Sequence, residues 1–493
     1  MIYNFNLGIG WASSGVEYAQ IYRARMFRNI GVDAKFVFTD MFPSENMEHM
    51  TKNIGFLDSE VIWLYTFFTD FKTAPVTYTL SDLEKTFTDL NYTKTREGKI
   101  CRYVFGGSNN FYTAYMVNDH DDFVHRVEMV SGGCLIRKDY FTYGRVYSEY
   151  YAPLDNAAHL YHRRFFNENG SVAYEEIIDD DRVMYKFKDK ILCSKEEFVG
   201  YMVSKLNLTS DDVVLIDRST DIGQSILMNC KPARVGTVVH ADHFSEKDTN
   251  DDYILWNNFY EYEFNMHKHI DFYICSTQAQ SDLMVQQFEK YYGVTPCVYT
   301  IPVGSLPELK YPKENRKPFS LITASRLASE KHVDWICKAV IQARAEVPEV
   351  SLDIYGEGGE REKLETIIRD NNASDYIHLM GQHDLSEVYQ NYEAYIAGST
   401  SEGFGLTLME AVGGGLPIIG FDVRYGNPTF IRNGENGYLI DLPEEDKERI
   451  EALRKGIVDL FKQDLEKCHS VSYEVAKDFL TCNVQEKWRE AVC

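Results

Sequence analysis

The run Ser399-Thr400-Ser401-Glu402-Gly403-Phe404-Gly405-Leu406-Thr407-Leu408-Met409-Glu410-Ala411 sets two carboxylates eight positions apart around a glycine turn that opens a helix. At a helix N-terminus the backbone N–H groups of Phe404 and Gly405 would face a phosphate, while Glu402 and Glu410 accept hydrogen bonds from sugar or ribose hydroxyls. That is chemistry for a sugar nucleotide, although a plain glycine turn before an amphipathic helix fits the same residues. Earlier in the chain, Thr323-Ala324-Ser325-Arg326-Leu327-Ala328-Ser329-Glu330-Lys331-His332 places two cations five residues apart beyond an apolar strand. Arg326 and Lys331 could neutralise one diphosphate, doing the electrostatic work that a divalent metal does in other transferases. Taken without the neighbouring features, the pair reads first as solvated surface charge.

Further groups fall at strand ends, where open α/β sheets expose residues to ligands. His240 closes an apolar strand and can hydrogen-bond a sugar hydroxyl; a satisfied core histidine is the competing reading. Gly381-Gln382-His383 follows another strand, and its backbone is placed to read a base edge. Tyr355-Gly356-Glu357-Gly358-Gly359 reads as a turn carrying neighbouring backbone rather than as a catalytic element. The loop Gly8-x-Gly10-x-x-x-x-Gly15 matches neither the G-x-G-x-x-G dinucleotide spacing nor a phosphate-loop motif, which counts against hydride transfer and ATP hydrolysis. It offers close backbone approach at a helix start, or a packing glycine. His240-Ala241-Asp242-His243 lacks zinc-site spacing, and metal-independent chemistry is expected.

These residues need parallel sheets to hold them. Residues 2–7, 35–39 and 61–65 read as buried strands, with a helix over 16–29 after the glycine loop. The rhythm resumes with the capping sequence Ser194-Lys195-Glu196-Glu197 and strands at 213–217, 235–240 and 272–276. Between them, residues 75–192 are short, β-rich and aromatic, with hairpin turns at 118–122 and 167–170, and form an inserted antiparallel domain. Its tyrosines either present a protein-binding face or stabilise the insertion itself. After a polar linker at 311–318, strands at 320–324, 351–355, 377–379, 394–397 and 417–421 form a second α/β set. The expected division is 1–74 with 193–310 as an N-terminal Rossmann-like domain, 75–192 as the insertion, 318–470 as a C-terminal Rossmann-like domain, and 471–493 as a helix packing back on the first domain.

The 493 residues exceed a single core. A net charge of −24 argues against a general nucleic-acid or anionic-membrane binder, so any phosphate site must be local. Aromatics make up 14% of the chain, with 34 Tyr and 29 Phe, and the insertion holds many of them. Ten scattered cysteines without a C-x-x-C pair, and no apolar leader, point to a reduced cytoplasmic protein. No run approaches a membrane span, which leaves peripheral association at the inner face of the membrane open.

The order His240, Arg326, Lys331, Glu402-x7-Glu410 resembles the retaining glycosyltransferases of GT-B type in glycosyltransferase family 4. The segments 6–20 and 252–258 and the β-rich insertion are more narrowly similar to the GtfA family, the catalytic subunits of the accessory-Sec O-GlcNAc transferase. The resemblance implies two Rossmann-like domains facing a cleft, UDP-GlcNAc as donor, and Ser/Thr hydroxyls of a serine-rich-repeat adhesin as acceptors. It also implies a GtfB-like non-catalytic subunit as partner. Carried over, Gly15, Val16, Glu17 and Tyr18 contact UDP; His240 the donor sugar; Arg326 and Lys331 the diphosphate; Gln382 and His383 the uridine side; Glu402, Gly403, Phe404 and Gly405 the sugar and phosphates; and Glu410 the ribose. Two rivals stand beside this reading. A wall teichoic acid poly(ribitol phosphate) α-GlcNAc transferase shares the architecture but needs a polyanionic acceptor, which the charge and Asp179-Asp180-Asp181 fit poorly. A non-enzymatic stabilising subunit would be expected to have lost Glu402, Glu410, Arg326 or Lys331, and all four are present.

Overall fold

The computed structural model describes residues 1–9, 15–43, 45–87, 90–107 and 109–493. The chain folds into two compact units: Met1–Ala24, Val32–Thr237 and Asn258–Asp271 form one, and Arg25–Gly31, Val238–Asn257 and Phe272–Cys493 the other.

The first unit is built on parallel strands β1 (Ile2–Asn6), β2 (Ala34–Phe38) and β3 (Val61–Trp63), joined after a long excursion by β14 (Val213–Ile216) and β15 (Arg234–Val239). Their order is β15-β14-β1-β2-β3, so the chain builds outward from β1 to β3 and then returns to lay β14 on the other side of β1. Runs such as Val213–Ile216 are apolar throughout and buried on both faces, as a sheet covered by helices requires. The third strand is shorter than expected because the chain turns helical at Leu64–Phe67, where Tyr65 packs on Phe165 (5.7 Å) and Phe198 (5.8 Å).

The excursion is a ten-stranded antiparallel sheet, β4 (Tyr92–Glu97) to β13 (Ile191–Leu192), with strands paired in sequence order. Rings from successive strands stack across it: Tyr140 on Tyr147 (4.3 Å), Tyr147 on Phe165 (5.4 Å), Phe165 on Tyr174 (4.5 Å) and Tyr174 on Phe187 (5.0 Å). This ladder is not a docking face. Tyr140, Tyr147, Phe165 and Tyr174 are all buried. Helix Lys195–Lys205 covers the end of the ladder through Phe198, 4.1 Å from Tyr185, so these aromatics fix the insertion to the parallel layer. Ser194 caps that helix, accepting from the Glu197 N–H, while Glu197 reaches back to the N–H of Cys193 (2.8 Å).

In the second unit, β16 (Phe244–Ser245) and β17 (Leu255–Trp256) form a small hairpin, and β18 (Phe272–Cys275) pairs in parallel with β19 (Val298–Thr300). A six-stranded parallel sheet follows: β20 (Ser320–Ala324), β21 (Ser351–Tyr355), β22 (Ile377–Gly381), β23 (Ala394–Ile396), β24 (Ile418–Phe421) and β25 (Gly437–Ile440), ordered β22-β21-β20-β23-β24-β25. The tail is two helices rather than the single one expected, Leu465–Lys477 and Thr481–Val492. Between them Phe479 turns its carbonyl to the Leu306 N–H (2.8 Å), and the Thr481 N–H donates to the Leu306 carbonyl (2.9 Å). Trp488 of the last helix meets Phe27, of the same unit, edge-on at 5.3 Å. No helix among the described residues is long and apolar enough to cross a membrane.

A buried polar cluster ties the first unit together. Arg23 grips Asp217 with two bonds (2.7 and 2.9 Å), Gln20 donates to the same carboxylate (2.8 Å), and Arg23 also donates to Asn4 (2.9 Å). Arg23 and Asp217 are both almost fully buried. Asp217→Ala would remove the carboxylate that neutralises the buried guanidinium, and a loss of about 3 to 5 kcal/mol of stability is expected, read as a lowered urea midpoint.

Candidate functional site

In the six-stranded sheet the chain leaves β20 toward β22 and then crosses back to lay β23 on the other side of β20. The loops after these two strands therefore diverge at the carboxyl edge and open a crevice between them. Lys331 sits in the first loop, on the 3₁₀ turn Ser329–Lys331, and Glu402 in the second. The Lys331 Nζ lies 2.6 Å from Glu402 Oε2, with the side chains 23% and 20% exposed.

Glu402 is held by its backbone. Its N–H donates to the Arg424 carbonyl (3.1 Å), and its own carbonyl accepts from the N–H groups of Tyr425 (2.5 Å) and Gly426 (2.7 Å). Phe404 is buried between Phe430 (5.3 Å) and Phe479 (5.9 Å). Two glycines are demanded by space and backbone. Gly405 has φ +87°, and a Cβ there would lie 2.6 Å from Leu408 Cδ1; at Gly426 it would lie 2.4 Å from the Phe404 carbonyl oxygen. The helix Leu406–Gly413 follows directly on this turn, and its first bonds run from the Leu408 and Met409 N–H groups to the Gly405 carbonyl (3.1 and 3.0 Å). The N–H groups of 403–407 thus precede the helical ladder, where the dipole favours an anion.

Glu410, one turn further, accepts from the Tyr389 hydroxyl (3.0 Å). Burial pushes its carboxyl above the usual range, and the Tyr389 bond partly opposes that. The Tyr395 hydroxyl donates to the Ala324 carbonyl (2.9 Å) and lies 3.1 Å from Thr407 Oγ1, linking the end of β20 to this helix.

The other sequence-predicted residues are placed as follows. The His240 carbonyl lies 3.7 Å from the position a Gly403 Cβ would take, both residues belonging to the second unit. Arg326 is 75% exposed and paired with Glu330 (2.8 Å) instead of joining Lys331 and Glu402. Its turn is carried by the glycine-rich loop after β21: the Ser325 and Leu327 N–H groups donate to the Tyr355 and Glu357 carbonyls (3.1 and 3.0 Å). A Cβ on Gly356 would lie 1.9 Å from the Ser325 carbonyl oxygen, so the backbone approach requires glycine. Gln382 and His383 are exposed after β22, with His383 Nε2 2.8 Å from the Met380 carbonyl and its ring edge-on to Tyr355 (5.9 Å).

Gly15, Val16, Glu17 and Tyr18 belong to the other unit, in the first turn of helix Gly15–Ile30. A Cβ on Gly15 would meet nothing within 4 Å, so packing does not require glycine there. Glu17 is buried, 3.2 Å from Arg218, which follows β14, and Tyr18 is half exposed. Residues 10–14 of the glycine loop lie outside the described residues.

Sequence reasoning missed the supports. Fully buried His243 has Nε2 2.7 Å from Gln287 Oε1 and Nδ1 3.4 Å from the hydroxyl of Tyr425, whose backbone in turn clamps Glu402. A neutral ring donating to Gln287 and accepting from Tyr425 satisfies both contacts. Burial is the main cause pushing this ring down to about 4. The position of Arg424-Tyr425-Gly426 just past an apolar strand was the available signal; nothing in the sequence marks His243.

The two parallel α/β units and the carboxyl-edge crevice are those of a GT-B glycosyltransferase. Residues 308–478 match the glycosyl transferases group 1 family and residues 93–189 the GtfA extended beta-sheet domain. The chain is 52% identical to the UDP-N-acetylglucosamine–peptide N-acetylglucosaminyltransferase GtfA subunit of Streptococcus agalactiae, covering 99% of this chain and 97% of that protein. It superposes on a chain of a GtfA/B complex crystal structure with a TM-score of 0.96 at 52% identity, covering 100% and 99% of the two chains. A pneumococcal O-GlcNAc transferase GtfA in complex with UDP and GlcNAc gives 0.86 at 49% identity, covering 100% and 98%. The chain belongs to the GtfA family of glycosyltransferase subunits.

Because the His243 ring titrates near 4 in the fold and near 6.5 when unfolded, the unfolded chain binds more protons between those values. The stability held by neutral His243 is full above about pH 7 and is lost as pH falls toward 4, by about 3 kcal/mol in all. His243→Gln should flatten this dependence, so the difference in urea midpoint between wild type and variant is expected to shrink from pH 7 to pH 4.

Proposed function

We propose that this chain transfers N-acetylglucosamine from UDP-GlcNAc to Ser and Thr hydroxyls of a serine-rich-repeat adhesin, as the first step of its O-glycosylation in an accessory Sec system. It acts with a GtfB-like stabilising subunit and with retention at the anomeric carbon, as a member of glycosyltransferase family 4. The observation that carries the reading is the Lys331–Glu402 pair bridging the two loops of the switch-point crevice beside a helix N-terminus. A cation for the diphosphate and a carboxylate for the sugar stand together there, on a chain of the GtfA family.

In this reading His240 holds the donor sugar, Arg326 and Lys331 neutralise the diphosphate, and Glu402 to Gly405 hold sugar and phosphates. Glu410 binds ribose, while Gln382 and His383 line the uridine side. Gly15 to Tyr18 approach UDP from the N-terminal domain, in the division 1–74 with 193–310, 75–192, 318–470 and 471–493. The C1–O bond to UDP breaks and the C1–O bond to the acceptor forms on the same face of the sugar. The hydroxyl proton passes to the departing β-phosphate, whose developing charge Lys331 stabilises in place of a metal. The protein works in the cytoplasm, peripherally at the inner face of the membrane.

Incubation with each UDP-sugar and a Ser/Thr-rich peptide, with and without the GtfB-like subunit and EDTA, followed by intact-mass analysis, tests the whole reading. A HexNAc increment on the peptide from UDP-GlcNAc despite chelator is the expected result; in a parallel incubation with poly(ribitol phosphate) as acceptor, mass added there and not to the peptide would replace it with the teichoic acid reading. Lys331→Ala is expected to slow transfer about 100- to 1,000-fold with the melting temperature retained, and near-normal turnover would remove Lys331 from the chemistry.

A further inference from the structure

The polar stretch 311–318 reads in sequence as a linker, and all of its residues but Arg316 are exposed. Arg316 turns inward, and a guanidinium drawn out of water needs partners for its N–H groups. It finds them without a carboxylate. Nη1 donates to the carbonyls of Gln390 (3.0 Å) and Tyr392 (2.8 Å), and Nη2 to the Gly414 carbonyl (2.8 Å) and the Tyr473 hydroxyl (3.2 Å). Neighbouring bonds extend the grip: the Lys317 N–H donates to the Asn391 carbonyl (2.9 Å), the Lys310 N–H to the Gly413 carbonyl (2.9 Å), and the Tyr473 hydroxyl to the Lys310 carbonyl (2.8 Å).

These bonds join two elements. Gly413 and Gly414 end the helix Leu406–Gly413, where carbonyls lack helical partners and the dipole favours a cation. Gln390, Asn391 and Tyr392 close the 3₁₀ turn Tyr389–Asn391. The helix bears Glu410, and the turn bears Tyr389, whose hydroxyl donates to Glu410 Oε2 (3.0 Å). Buried Tyr392 donates to Asp353 (2.7 Å) and lies 3.0 Å from the hydroxyl of Tyr355, the ring that His383 meets edge-on. A shift of the turn against the helix end therefore takes the Glu410 carboxyl away from its partner. Lysine could not prevent it. An ammonium is a point donor with three N–H groups, whereas the planar fork meets four acceptors on several elements at once.

Resting on the reading above that Glu410 binds ribose, we infer that Arg316 is a positioning residue of the donor site: its guanidinium locks the 3₁₀ turn to the end of the helix and so sets where the Glu410 carboxyl stands. The stretch 311–318 is then part of the nucleotide grip rather than a passive tether. The consequence falls on recognition of the ribose hydroxyls and not on the bond-breaking step.

The full chain with its GtfB-like subunit is titrated with UDP and with 2′,3′-dideoxy-UDP, which lacks both ribose hydroxyls. The wild type is expected to bind UDP about 10- to 100-fold more tightly, the worth of hydrogen bonds to a carboxylate, and Glu410→Ala to lose that preference. Arg316→Lys, which keeps the charge but not the fork, should cut the preference about fivefold by weakening UDP and sparing the dideoxy analogue. In transfer assays its KM for UDP-GlcNAc should rise about as much, with kcat within about twofold of wild type. Tyr473→Phe, which removes one acceptor of Arg316 and keeps the ring, should move the ratio the same way by about twofold. General loosening of the fold would weaken both nucleotides alike. A preference left intact in Arg316→Lys, or in Tyr473→Phe should the lysine variant not fold, therefore overturns the inference while the ribose reading stands. A wild type that binds both nucleotides equally, or a Glu410→Ala variant that keeps the preference, removes Glu410 from the ribose and the inference with it; a wild type that binds no UDP overturns the proposed function and the inference together.

Discussion

Parallel pairing puts the carboxyl ends of all strands of a sheet on one edge, and reversing the strand order about a central pair leaves a gap between two diverging loops. This constraint organises both units. In the first it falls between β1 and β14, where Glu17 meets Arg218. In the second it falls between β20 and β23, where Lys331 meets Glu402. Neither pair is adjacent in sequence; each exists because two loops leave neighbouring strands in opposite senses.

Around Lys331 and Glu402 the positioning is mostly done by backbone. Glu402 is fixed through three main-chain bonds, and Gly405 and Gly426 are shaped to admit carbonyls and side chains that a Cβ would strike. Buried side chains then brace that backbone from behind. Tyr395 joins the end of β20 to the helix start, Tyr389 holds Glu410, and His243 steadies Tyr425. The carboxylate and ammonium are left partly exposed at the mouth while their supports are not, which keeps the reacting edge accessible on a rigid base.

Much of this was legible in the sequence, for identifiable reasons. Residues 320–324 and 351–355 read as strands to the residue because each is a continuous buried run between polar breaks. The glycine-rich stretch at 355–359 read as a backbone carrier and serves as one. The break at 478–480 was not visible, since Phe479 and Leu480 keep the apolar period, while the two main-chain bonds to Leu306 that hold the turn are tertiary. The tyrosines of the insertion were countable, but whether they faced outward depended on cross-strand register and on the Lys195–Lys205 helix above them. Arg326 and Lys331 looked equivalent by charge and spacing; the 3₁₀ turn carries only Lys331 to Glu402.

The pairing of Ile2 with Val213 also governs the time course of synthesis. A chain made from its N-terminus presents β1 and β2 early, yet the strand that covers the other side of β1 appears only after the whole ten-stranded sheet has been translated. At ordinary elongation rates that interval is roughly 10 to 40 seconds, during which β1 has one bare hydrogen-bonding edge. Consecutive strand pairing lets the insertion fold as it emerges, and a folded insertion shortens the effective loop that β14 must close. The large aromatic sheet is therefore also a kinetic element, setting how long the nascent first unit stays open to wrong partners.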